Sequence, residues 1–296
     1  MTACAIVIAQ VFMRWMAGLG WIDASGIPSN FEGYAGNRNA FAFQMLACSA
    51  LLITWSRHYR KAGQRLHTSL SGKWNALFIF SHGVLLAALV FSASRAGIGT
   101  GIAMLVLAWA ARLGERRMLL FSVICAGILW AFVVLVLPLL SDVVNIGAGN
   151  NLAKRVMAFR MSNEASNVVR WETIRRGLEM WLEAPLLGAG LGVFIEKSTL
   201  WFKQAIVIHC TPVWILAEFG LLGALALMTI FLKVFISAYR VRSRSPVYRA
   251  VMLLLVAFAI FGLVHDIFYQ RIFWLVLGIC LALPFRSHDA RKIAHG

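Results

Sequence analysis

Acidic residues are scarce in this chain. Twelve Asp and Glu stand against 28 Lys and Arg, and only 14% of the 296 residues are charged. So few charges cannot cover the surface of a water-soluble domain, which excludes that class. Cysteine supplies no framework either. Cys4, Cys48, Cys125 and Cys280 lie in apolar runs and Cys210 stands alone beside His209, so no spacing resembles a zinc site or a disulfide scaffold. The polar segments also lack a carboxylate pair, an Asp-x-Asp cluster or metal-ligand spacing, so neither metal nor cofactor is expected.

What is present is hydrocarbon: 60% of the residues are hydrophobic. The apolar runs are continuous and not alternating, which selects membrane-spanning helices over a closed barrel. The reading is an all-α, polytopic helical bundle of about eight spans, near 2–22, 39–55, 74–93, 96–112, 118–140, 211–236, 249–264 and 270–285. Residues 1–296 form one membrane domain on this reading, with no appended soluble domain. The stretch from Thr2 to Trp21 has no basic leader region or small-residue cleavage site, so it reads as a span and not a signal peptide.

The net charge of +16 could suggest nucleic acid, but the basic residues fall in loops between spans. Membrane lipids with anionic headgroups are the expected partner, and nucleic acid is not. The loop 56–73, the turn 112–117, the segment 239–249 and the tail after 285 carry most of the loop cations, and all fall on one side. The other side has single cations at Arg38, Arg95 and Arg271. Both termini are therefore expected in the cytoplasm, and residues 141–210 become one large external loop.

That loop is itself basic, with eight cations against six acids. An anionic substrate at the outer leaflet is one reason for such an excess. Within it Trp171, Ile174, Leu178, Trp181 and Leu182 recur at helical spacing. They predict an amphipathic interfacial helix over about 170–184, with Arg170 and Arg175 at the edges of its apolar face. Pro185 stops it, and LLGAGLG follows as a glycine-rich turn or re-entrant segment.

Few residues here carry chemistry. His209 precedes Pro212 at the mouth of the sixth span, where an imidazole serves either as a headgroup or capping residue or as a general base. Arg95 opens the fourth span, as a snorkelling end residue or as a phosphate ligand. Arg14 is centred in the first span, where a charge is costly and points to function by default. His265 and Asp266 end the seventh span as an ion-paired lip with Arg271 or as part of an acceptor site. Glu218 falls opposite His209 on a continuous helix, and Gly220 and Gly223 read as a close-packing face. Gly97 and Gly101 read the same way.

Taken together, Arg170-Trp171, PLLGAGLG (185–192), His209 and Gly220-Leu221-Leu222-Gly223 resemble the O-antigen ligase and polymerase superfamily of bacterial envelope proteins. GNRNAFAF (36–43) and Ser94-Arg95 extend the resemblance over most of residues 33–285. It implies a GT-C-like glycosyltransferase of the bacterial inner membrane, with its active site and large loop facing the periplasm. The implied donor is an undecaprenyl-diphosphate-linked glycan, and the acceptor a lipid A core or a polysaccharide. Arg95 and Arg170 would hold the diphosphate and His209 would serve the acceptor hydroxyl, without metal. Arg175, His265, Asp266 and Arg14 are secondary positions. An O-antigen or exopolysaccharide polymerase shares the scaffold. A non-enzymatic lipid-linked glycan transporter is the contrasting class, but it calls for related halves with broken helices, and no internal repeat is visible.

Overall fold

The computed structural model describes residues 2–18, 20–22, 37–66, 70–133, 152–242, 245–279 and 281. These residues are helical apart from turns and connecting loops, and no strand occurs among them. The helices are α1 (Thr2–Gly18), α2 (Arg38–Leu66), α3 (Leu70–Phe91), α4 (Arg95–Ala110) and α5 (Arg116–Ala131). They continue as α6 (Leu152–Glu183), α7 (Val193–Phe202), α8 (Thr211–Val241), α9 (Pro246–Gly262) and α10 (271–279). Two stretches are long and apolar enough to cross a membrane, Arg38–His58 and Thr211–Arg240. Cys4–Met13, Asn75–Phe91, Arg95–Ala110 and Pro246–Gly262 are shorter apolar helices. The expected spans at 118–140 and 270–285 run partly outside the described residues.

The chain divides into two compact units. The first comprises Met1–Gly147 and Ser237–Ala257, the second Ala148–Ile236 and Phe258–Gly296.

In the first unit α3 packs on α2 and α5, and α4 on α2. Phe41, Phe43, Leu46, Ile53, Leu85 and Met104 are among its fully enclosed side chains. Gly97 and Gly101 do act as packing glycines. A Cβ at Gly97 would come within 2.6 Å of Ala42 Cβ, and one at Gly101 within 2.6 Å of Leu89 Cδ2. Buried hydroxyls return to their own helix: Thr54 donates to Ala50 O (3.0 Å), Ser92 to Leu89 O (2.7 Å) and Ser122 to Met118 O (2.7 Å). Such bonds let polar side chains sit in apolar surroundings at little cost. Leu120, Phe121, Ile124 and Ile128 of α5 remain exposed.

The second unit is built differently. The buried face of α6 is the seam Thr173, Gly177 and Met180, while Trp171, Leu178 and Leu182 of the expected apolar stripe stay exposed. Gly177 is required where it stands, since a Cβ there would come within 2.7 Å of Ile208 and 2.9 Å of Val213. The end of α6 therefore lies against the start of α8.

α8 is not a continuous helix. Gly220 has φ 64° and ψ −168°, a conformation confined to glycine. This corrects the reading of Gly220 as a helix-packing position. What approaches it is a turn: a Cβ at Gly220 would lie 2.4 Å from Leu186 O, and one at Gly188 (φ 75°) 2.5 Å from the backbone of Glu218 and Gly220. The two segments are joined as if by a short ladder. Ala189 N donates to Ala217 O (2.9 Å) and Gly190 N to Glu218 O (3.0 Å); Leu221 N donates to Pro185 O (2.9 Å) and Leu222 N to Leu186 O (3.1 Å). The PLLGAGLG and GLLG motifs are two halves of one backbone joint.

Candidate functional site

His209 is placed by the loop that leads into α8. Ser198 of α7 accepts from Ile206 N (3.0 Å), Ile208 is fully buried, and the helix starts at Thr211 with Pro212 in its first turn. Proline there loses nothing, because the first helical amides have no partner within the helix.

Thr211 then clamps the connection between α9 and α10. Its hydroxyl donates to His265 O (2.9 Å) and accepts from Ile267 N (3.1 Å). This brings the two imidazoles together, edge to face, with ring centroids 5.5 Å apart and planes at 72°. On its other side His265 stacks on Phe261 (5.3 Å, 21°). Its Nδ1 lies 3.2 Å from Asp266 O. A carbonyl only accepts, so a neutral His265 carries its proton on Nδ1 and leaves Nε2 as a bare acceptor. That Nε2 is buried and has no hydrogen-bond partner, and the same is true of His209 Nδ1.

Electrostatics keep both rings uncharged. Burial, with the nearby Arg170 charge second, pushes His209 down to about 4. Burial also takes His265 to about 4, with His209 and then Arg170 adding to the effect. Asp266 moves the other way: burial raises its carboxyl to about 6, against the hydrogen bonds it accepts from backbone amides, among them Phe268 N (3.1 Å). Burial likewise keeps the Cys210 thiol protonated, which makes it a poor nucleophile.

The second unit thus gathers Arg170, His209, His265 and Asp266. The other positions fall elsewhere. Arg175 belongs to a surface network, with Nη2 2.6 Å from Glu172 and Nη1 2.8 Å from Glu179. Arg176 bridges the same two carboxylates and lies over the Trp201 ring (5.2 Å). Arg95 is in the first unit, exposed at the first position of α4. There Ser94 caps the helix by accepting from Gly97 N (3.1 Å) and donates to Asn39 Oδ1 (2.7 Å). Asn37 in turn accepts from Asn39 N (2.8 Å) and Ala40 N (3.3 Å) to start α2. The GNRNAFAF and Ser94-Arg95 segments therefore meet. The side chain of Arg14 lies outside the described residues.

Two residues of this region escaped the sequence reading. Nothing in the sequence sets Thr211 apart. Glu218 has partners other than His209: it is buried and its carboxylate accepts from Gly192 N (3.0 Å) and Phe194 N (3.3 Å), a role the sequence does not show. It caps α7 across the joint.

Apolar helices and a half-buried polar centre describe a membrane protein with a site. The family model for O-antigen ligase matches residues 80–228, just over half of the chain, and so contains Arg95, Arg170, His209 and the whole joint. The chain belongs to the O-antigen ligase and polymerase family. No curated protein matches it.

Proposed function

We propose that this protein is a multi-pass glycosyltransferase of the bacterial inner membrane. It moves a glycan from undecaprenyl diphosphate to an acceptor hydroxyl at the periplasmic face, without a metal. The spans are about eight in a GT-C-like arrangement, both termini are cytoplasmic, and residues 141–210 are periplasmic with the amphipathic stretch of about 170–184 at the interface. The observation that carries the reading is the uncharged, half-buried His209, with one nitrogen unpartnered, in the field of Arg170.

In the reaction the acceptor hydroxyl gives its proton to the His209 imidazole as its oxygen attacks the anomeric carbon. The bond from that carbon to the diphosphate oxygen breaks, and the lipid diphosphate leaves with the electron pair. Arg170, and Arg95 by its place in the family pattern, offset the charge on the leaving group. A base at about 4 is a weak one. A bound diphosphate offsets the Arg170 charge and so raises the imidazole in part, while the larger effect of burial remains. His265, stacked and locked in one tautomer, holds the ring of His209 from its edge.

His209→Ala in purified, normally inserted protein tests this, with a labelled lipid-linked donor and acceptor in detergent. Transfer should fall by roughly 10²–10⁴. Undiminished transfer removes His209 from the chemistry. A lipid A core as the accepting substrate gives a ligase, and a second lipid-linked repeat gives a polymerase. Binding of donor with no transfer to either acceptor favours the transporter class.

A further inference from the structure

The segment between α6 and α7 is an uncharged run, 184–195, bracketed by Glu183 and Glu196. Lys197 Nζ lies 3.5 Å from Glu183, so an ion pair closes the run at its base. At the tip, Leu186, Leu187 and Leu191 are 60%, 75% and 71% exposed. Three leucines that bare would be costly in water, at about 25 cal/mol for each Å² of apolar surface.

The backbone of this tip is unlike that of an ordinary water-exposed loop. Its amides at Gly188, Ala189 and Gly190 donate to Ala184 O, Ala217 O and Glu218 O, and its carbonyls at Pro185 and Leu186 accept from Leu221 N and Leu222 N. Trp181 Nε1 also donates to Pro185 O (3.1 Å). Water is not needed to satisfy these groups, which is the condition for placing irregular backbone at membrane depth.

The partner in those bonds is a candidate span. Of the 30 residues Thr211–Arg240, those beyond the break at Gly220 run roughly 30 Å at 1.5 Å per residue, about the thickness of a hydrocarbon core. With Arg240 at the far headgroups, the near edge of the core falls close to Phe219–Leu222, the level of the joint. From there onward the helix presents bare Leu222, Leu225 and Met228 to its solvent.

We infer that 185–191 is a shallow re-entrant turn whose leucines enter the acyl-chain region of the bilayer, with the Glu183–Lys197 pair at headgroup level. The occupant of this apolar face is phospholipid, and the face continues the lipid-facing surface of α8. The inference does not depend on the transfer chemistry.

Spin labels at Leu187→Cys and Leu191→Cys, in a chain whose five native cysteines are Ser, test it in phosphatidylethanolamine/phosphatidylglycerol nanodiscs. Lys203→Cys and Leu225→Cys give the aqueous and lipid references. Power saturation should show both tip labels favouring oxygen over an aqueous nickel chelate, at a depth between the references. A photo-reactive benzoylphenylalanine at position 187 of the otherwise native chain should add the mass of one phospholipid. Chelate access equal to that at Lys203, or cross-links only to protein, would overturn the inference.

Discussion

The two units differ in what their buried polar groups hold in place. In the first, hydroxyls such as Thr54, Ser92 and Ser122 bond to carbonyls of their own helix, and such bonds add nothing between helices. In the second, Thr211 and Glu218 bond to backbone far along the chain, Ser198 accepts from the loop amide of Ile206, and a broken helix exchanges amides with a turn. The local bonds of the first unit tolerate change, although Ser94 and Asn39 do tie α4 to α2. The second holds irregular backbone in one conformation, which is what positioned catalytic groups need.

The sharpest way to break this contrast is at the joint. Gly220→Ala or Gly188→Ala puts a Cβ within 2.5 Å of backbone atoms and demands a left-handed conformation besides. Each should cost roughly 3 kcal/mol or more, seen as loss of the monodisperse peak or a large fall in Tm in detergent. Gly127→Ala in the first unit, where nothing lies within 4 Å, should leave Tm unchanged or slightly raised. Equal effects at the three positions would mean that the joint is not formed.

A smaller effect is expected at Glu218. Leucine there strands the amides of Gly192 and Phe194 and should cost about 1–3 kcal/mol, with glutamine recovering part of it. Smaller again is Thr211→Val, which removes one hydroxyl serving His265 O and Ile267 N. About 1–2 kcal/mol should go, serine should restore it, and transfer should suffer beyond the loss of stability because the two imidazoles part. Thr54→Val in the first unit is the control, expected within about 0.5 kcal/mol of the parent. A Thr54 effect as large as that at Thr211 would erase the distinction drawn here.

How much of this the residues announce follows from range. Apolar runs and capping asparagines and serines are local, so helices in the first unit can be read directly from the chain. Arg170, PLLGAGLG, His209 and GLLG stand out as a pattern, and the family match covers them all. What the glycines do there does not show, because the meaning of Gly220 depends on Leu186 and Gly188 arriving from more than 30 positions away. Glu218 is a similar case: its place opposite His209 is legible, but its bonds to Gly192 and Phe194, more than 20 positions back, are not. The His209–His265 contact spans the whole of α8 and α9, and no periodicity encodes it.

The finest test concerns charge, not shape. His209 lies below its ordinary 6.5, first through burial and second through Arg170. Removing the cation by Arg170→Ala should therefore raise the imidazole, though not to 6.5, because burial remains. If transfer requires the neutral ring, activity falls as pH drops through its pKa, and the acid limb of kcat/KM reports the free enzyme. In Arg170→Ala that limb should move to higher pH, while Arg170→Lys, which keeps the charge, should leave it nearly in place. Weakened diphosphate binding lowers the whole profile in both variants, so the position of the limb and not its height is the measurement. A limb that stays fixed in Arg170→Ala would show that the titrating group is not an imidazole sensing Arg170. The second unit would then hold His209 in place without tuning it.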